Sequence, residues 1–274
     1  MGGTRAASAQ GAEALFHNPA ALARFEPESR SELATGYDAL LETAYQGAAA
    51  YARPLGRDGA LGLGLTYVSQ GAQTAYNAQG DASGRFTPLD MAVGAAYARR
   101  LGSTMLGAGL KVIRTALDDR KGLSAAVDLG VLVRHVADVG DGPLDLGAAV
   151  SDQGPPLKMG ETADPLPLRA RAGALWHISP IFDSAFDVVF PVDQDPYVAI
   201  GLEGRLPAAS LGSSKPWAAC LRAGYDQSRA RNVEGLSGMS AGLGFDFSAL
   251  RVDYAWVPMG DLGTTNRVTL AFRF

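Results

Sequence analysis

The sequence predicts an all-β protein, a transmembrane antiparallel β-barrel of about fourteen strands with a separate N-terminal segment. Three observations carry that expectation. Apolar and polar residues alternate strictly over many segments, as they do in a strand whose two faces meet different surroundings. Most segments run for about nine to twelve residues, the length a tilted strand needs to cross a bilayer. Charges of both signs gather on one face of many strands, where a dry core would leave them at a cost of several kcal/mol each.

The elements follow in order. Residues 1–30 do not alternate. Within them Asn18-Pro19 reads as an N-cap followed by proline at the first helical position, opening a short helix through about Arg24. Strands are expected at 31–41, 43–54, 59–69, 87–100, 103–116, 122–135 and 143–152. The second half adds 167–178, 184–193, 196–206, 216–227, 237–247, 249–257 and 266–274. In 249–257, for example, Leu250, Val252, Tyr254 and Trp256 oppose Arg251, Asp253 and Ala255. With the N-terminus placed on the periplasmic side, short turns such as Arg100–Gly102 and Ser248 fall at one end. The long loops Gln70–Phe86 and Asp152–Pro165 fall at the other. Two regions result: a hatch or plug, 1–30, inside or across the periplasmic mouth, and a barrel, 31–274. A barrel this wide leaves a lumen that wall side chains cannot fill, which gives the first region a place.

The inward face is expected to carry Asp128, Arg134, Asp145, Arg169, Arg171, Asp187, Glu203 and Arg205, then Arg222, Asp226, Asp246, Arg251, Asp253, Arg267 and Arg273. Cross-strand ion pairs among them would hold the lumen, with Arg251 and Asp253 lying near Arg267 and Arg273 on the next strand. Only Val68, Leu132 and Leu175 interrupt an inner face that is otherwise charged or small. Outward, Tyr67, Tyr97, Trp176, Trp217, Tyr225, Trp256 and Phe274 fall near strand ends, as aromatic girdles do. The competing reading is a soluble two-sheet sandwich with its polar face in water. The uniform strand length and the end-placed aromatics favour the barrel.

Composition narrows the rest. No run of about 18 apolar residues exists, so a transmembrane helix is excluded. A net charge of −4 with scattered Lys and Arg indicates no nucleic-acid partner. The single cysteine, Cys220, cannot form an internal disulfide. No charged stretch followed by an apolar one opens the chain, so its numbering is expected to start after processing or trimming. His17, His135 and His177 lack a second ligand at metal spacing. No metal, cofactor or catalytic residue is therefore expected, although a serine–histidine pair assembled in space stays open. Gly62-Leu63-Gly64 and Gly107-Ala108-Gly109 are strand glycines, because neither opens a helix.

The terminal strand, with Leu270, Phe272 and Phe274 on one side, resembles the C-terminal signal of bacterial outer-membrane barrels. Met1 to Ala23, with Asn18-Pro19-Ala20, resembles the opening of the FadL-like and PorV/PorQ-like outer-membrane proteins. Ala149–Lys158, Asp164–Arg169, Asp253–Gly263 and the final F-R-F are similar to the PorV/PorQ side. The resemblance implies a fourteen-stranded barrel in the outer membrane of a Gram-negative-type bacterium, surrounded by its lipid. It also implies an N-terminal hatch marked by His17, Asn18, Pro19 and Ala20. For function it implies a non-enzymatic barrel that binds a partner protein in secretion or surface attachment, and the outer loops Gln70–Phe86 and Asp152–Pro165 are the surface expected to receive it. The alternative is a passive channel of FadL type for hydrophobic small molecules. The charged, small inner face, and outer loops too short to enclose a long lipid, tilt the sequence reading toward partner binding.

Overall fold

Residues 1–25, 30–231 and 235–274 are described by the computed structural model. Sixteen of its strands form one sheet that closes on itself; two are short loop strands, Leu157–Met159 and Thr162–Asp164, which leaves fourteen in the barrel wall. In chain order these are β1 (Glu32–Ala39), β2 (Tyr45–Leu55), β3 (Gly59–Ser69), β4 (Leu89–Leu101), β5 (Thr104–Leu117), β6 (Arg120–Val139) and β7 (Gly142–Gln153). The circuit continues through β8 (Arg169–Ser179), β9 (Phe182–Pro191), β10 (Tyr197–Pro207), β11 (Trp217–Asp226), β12 (Met239–Phe247), β13 (Leu250–Pro258) and β14 (Thr264–Arg273). Each pairs antiparallel with its sequence neighbours, and β14 returns to β1 over the full length of β1. Closure leaves the wall without a sheet edge, which a strand in lipid must not expose.

Every strand expected from alternation is present, with ends moved by a few residues. The largest extension is β6, which spans 120–139: the two-residue turn at Asp118 and Asp119 carries its ladder to β5 down to Arg120, and pairing with β7 carries its other end to Val139. Asp118 takes a positive φ of 55° there, a conformation Asp tolerates better than most residues. Most connections at one end are short, as at 102–103, 140–141 and 248–249, and the same end holds the start of β1 and the finish of β14. The opposite end carries the longest connections, 70–88 and 154–168.

The faces follow the alternation. Val268, Leu270, Phe272 and Phe274 all point away from the lumen and are 41–56% exposed, while Thr269 and Ala271 between them are buried. Rings cluster on the outer surface: Trp217 stacks on Phe245 with centroids 5.6 Å apart, and Tyr51 stacks on Phe274 at 6.4 Å beside the closing seam. An apolar band around the whole wall belongs in lipid, not water. Among the described residues no helix is long and apolar enough to cross a membrane.

The lumen is not lined by wall side chains alone. A buried cluster joins Ala7, Ala12, Leu15, Ala20 and Leu22 of the N-terminal segment to Ala50, Ala98, Met105, Leu132 and Leu175 of the wall. The expected helix after Asn18 is a 3-10 helix, Pro19–Arg24, and a second one, Ala12–Phe16, precedes it. Residues 26–29 of the expected 1–30 region lie outside the described residues.

The two long loops behave differently. Gln73–Tyr76 pairs with Ala82–Phe86 as an exposed hairpin. The loop 152–165, expected to face outward, instead folds over the inner face of β6. Leu157 and Leu166 pack with Ala126, and Ser124 Oγ donates to the Pro155 carbonyl at 2.8 Å. The two leucines find apolar cover inside that water would not give them.

Candidate functional site

The interior is organised by how residues 1–25 are held. Asn18 is fully buried and makes three bonds. Its Nδ2 donates to the carbonyls of Ala6 (2.6 Å) and Val131 (3.2 Å), and its Oδ1 accepts from the Ala20 amide (3.1 Å). It thus caps the helix after it and ties two parts of the segment to β6. Asp187 of β9 accepts from the Arg5 and Ala6 amides at 2.7 and 2.8 Å. Glu32 of β1 accepts from the Ala12 amide at 2.8 Å. At the segment's far end, Arg24 reaches Asp145 at 3.1 Å, and Arg100 donates to the Ala23 carbonyl at 2.7 Å.

Such close seating needs wall positions without side chains. At Gly107 an added Cβ would land on the Ala20 amide, and at Gly130 on Asn18 Oδ1. These two glycines allow segment backbone to lie against wall backbone. Pro19 and Ala20 are buried by this contact and His17 borders open space beside it, so these three residues gather around Asn18.

Most of the charged residues expected inside are joined by ion pairs, with partners fixed by register. Arg267 lies directly opposite Asp38, and Arg273 opposite Glu32, across the seam where β14 meets β1; both are ion pairs. Arg222 lies opposite Glu203 and bonds it at 2.6 Å, and also pairs with Asp253. Arg251 lies opposite Asp246 at 3.6 Å, and Asp246 further takes Arg205 (3.2 Å) and Arg273 (3.4 Å). The expected meeting of Arg251 and Asp253 with Arg267 and Arg273 does not occur. Across that ladder Arg251 faces Ala271 and Asp253 faces Thr269, so the arginines of β14 turn to the acids of β1.

Asp128 binds Lys111 at 2.9 Å, and Asp152 takes the same ammonium at 2.8 Å. Arg134 is exposed where the β6–β7 register slips between Val133 and Ala137. Sequence reading missed Glu32, Asp38, Lys111 and Arg24. Lys111 was legible, since it continues the inward phase of Met105, Gly107 and Gly109.

Between the N-terminal segment and the long-loop end lies a cavity of about 650 Å³. Leu15, Phe16, Leu40 and Met259 give it apolar surface, and Arg5, Lys111, Arg169, Arg171 and Arg267 give it cationic surface, with His17 beside them. A second cavity of about 140 Å³ lies beside the segment, among Glu13, Glu203, Arg222, Arg251 and Asp253. His17 is held well below the ordinary histidine value of 6.5, by burial first and then by Arg5, Arg171, Arg267 and Arg169. It is therefore neutral near pH 7. His135 pairs with Asp138 at 2.7 Å in an exposed setting, and His177 pairs with Asp183 at 2.8 Å. No group of three metal-ligating side chains occurs among the described residues. Cys220 is a free thiol buried on the inner side of β11.

No protein-family model matches the sequence, and no curated protein matches it either. Solved structures do. The Ralstonia pickettii toluene transporter TbuX matches with a TM-score of 0.63 at 15% identity, over 100% of this chain and 96% of that one. The P. putida toluene transporter TodX matches at 0.63 and 12%, over 100% and 97%. A Pseudomonas aeruginosa FadL homologue matches at 0.59 and 12%, over 100% and 96%. At these identities the likeness is one of fold: the chain shares the barrel architecture of these structures.

Proposed function

We propose that this protein is an outer-membrane conduit for small solutes in a Gram-negative-type bacterium, with residues 1–30 acting as a hatch across the periplasmic side. The observation that carries the reading is the cavity of about 650 Å³ that ends on the N-terminal segment. Its size lies within the range of small-molecule sites. Beneath it, buried segment atoms occupy the lumen down to the Arg24–Asp145 contact. A solute entering from the long-loop end reaches this pocket first and passes further only when the segment shifts. The FadL-like fold, shared with two toluene transporters, supports passage of a molecule with an apolar body, for which Leu15, Phe16, Leu40 and Met259 supply contacts.

Planar-bilayer recording tests the reading. Deleting residues 1–30 raises small-solute conductance several-fold over the full chain. Equal conductance from the two proteins would refute the hatch.

A second reading, binding of a partner protein as in the PorV/PorQ-like barrels, draws support from the exposed hairpin Gln73–Phe86, where Tyr76 stands 68% exposed. Gentle purification from native membrane separates the two. A stoichiometric protein partner favours the second, and a small molecule retained in the lumen favours the first.

A further inference from the structure

Inside the larger cavity the charges do not balance. Four acids line it, and each is already engaged. Asp128 and Asp152 share Lys111 at 2.9 and 2.8 Å, Asp38 binds Arg267, and Asp226 lies 3.6 Å from Arg229. Three lining guanidinium groups remain, those of Arg5, Arg169 and Arg171. Among the described residues Arg5 and Arg169 have no ion pair within 4.0 Å, and Arg171 comes no nearer than 3.8 Å to Asp187.

Asp187 Oδ2 accepts from the Arg5 and Ala6 amides, while its Oδ1 is enclosed without a hydrogen-bond partner among the described residues and so does not satisfy Arg171. The Arg171 side chain is only 10% exposed, yet its Nε and Nη1 are enclosed without any acceptor. A guanidinium presents five N–H donors and cannot shed its charge, so an enclosed one without acceptors is costly. Burial, with Arg267 and Arg171 close by and Glu13 in opposition, pulls the Arg5 guanidinium below its ordinary value, in keeping with crowded positive charge.

We propose that Arg5, Arg169 and Arg171 form an oxyanion-binding site in the lumen, which takes a carboxylate or phosphate group of the permeating solute. Guanidinium groups suit this chemistry, since their planar fork matches the oxygens of carboxylate and phosphate. Tyr197 and the neutral His17 border the same cavity and add polar contacts that do not repel an anion. Arg5 belongs to the N-terminal segment and Arg169 and Arg171 to β8, so a bound anion bridges segment and wall. The site deepens the conduit reading and rests on it only for its physiological role.

The test is isothermal titration calorimetry on the full chain in detergent at low ionic strength, with sodium phosphate in one arm and sodium benzoate in the other. Saturable one-to-one binding of either anion is expected, weakened tenfold or more in Arg171→Gln and in Arg169→Gln. Arg53→Gln, on an exposed wall residue remote from the cavity, leaves it unchanged. Arg171→Lys retains part of the affinity, which covers the case in which the glutamine variant fails to fold. Tighter phosphate binding identifies a hydrophilic oxyanion; tighter benzoate binding identifies an organic acid whose body uses the apolar lining. Absence of saturable binding of both anions to the unaltered chain overturns the site, as does equal binding by the Arg169→Gln and Arg171→Gln variants. Bilayer recording on the same preparation keeps the two ideas apart. Binding without any conductance would sink the conduit and leave the site, whereas conductance without binding would do the reverse.

Discussion

Replacing Asn18 by alanine removes three hydrogen bonds at one stroke, and the structure sets the size of the effect. The bonds to Ala6, Val131 and Ala20 are 2.6, 3.2 and 3.1 Å long, and Asn18 itself is fully buried. Each contributes about 1 kcal/mol net, so the seated segment loses about 3 kcal/mol relative to its open state. The orphaned Ala6 carbonyl and Ala20 amide push the figure upward, because a buried unsatisfied group costs about 1–3 kcal/mol. At about 1.4 kcal/mol per decade, 3 kcal/mol corresponds to roughly a hundredfold more frequent opening. Hydrogen exchange followed by mass spectrometry reads that opening directly. Peptides covering residues 4–24 exchange roughly a hundredfold faster in Asn18→Ala, while peptides from β10 to β13, away from the substitution, keep their protection. Unchanged exchange in the segment would refute the capping role. An equal rise in the distant strands would show that the residue supports the barrel as a whole, which is equally fatal to the argument.

Three further outcomes follow from the same geometry. Gly107→Val puts a branched side chain where the Ala20 amide sits, so it unseats the segment and raises bilayer conductance while circular dichroism stays that of a β-barrel; unchanged conductance counts against the close approach. His17 is held neutral, its folded value depressed below 6.5, so its contribution is fully present above 6.5 and is lost as pH falls toward the folded value. Segment protection, corrected for intrinsic exchange, therefore drops between neutral pH and pH 5 in the native chain and less so in His17→Asn, and identical pH profiles contradict this. Leu270→Arg places a cation on the lipid side of β14, at a cost of about 2–4 kcal/mol if it lies near the bilayer midplane, and lowers the denaturant midpoint of the barrel in liposomes. An unchanged midpoint would mean that the outward face was misassigned.

Alternation along single strands determined much of this protein before any coordinates. Leu250, Val252, Tyr254 and Trp256 must share a face whatever their neighbours do, because the period of two belongs to the strand itself. Counting such segments yields the fourteen strands that the wall contains. The capping role of Asn18 was legible for the same reason, since it acts on an amide two residues away. What the fold alone decided concerns residues far apart in sequence. Glu32 meets Arg273, and Asp38 meets Arg267, only because β14 closes on β1 in one particular register. Asp187 could not be matched to the Arg5 and Ala6 amides from sequence, nor Gly107 to Ala20, because neither pair shares a local pattern. The cluster of Arg5, Arg169 and Arg171, in which only Arg171 has an acid within 4.0 Å among the described residues, appears only once the acids lining the cavity have found their bases. Local periodicity fixes which way a side chain points, whereas the stagger and closure of the sheet fix what it finds there.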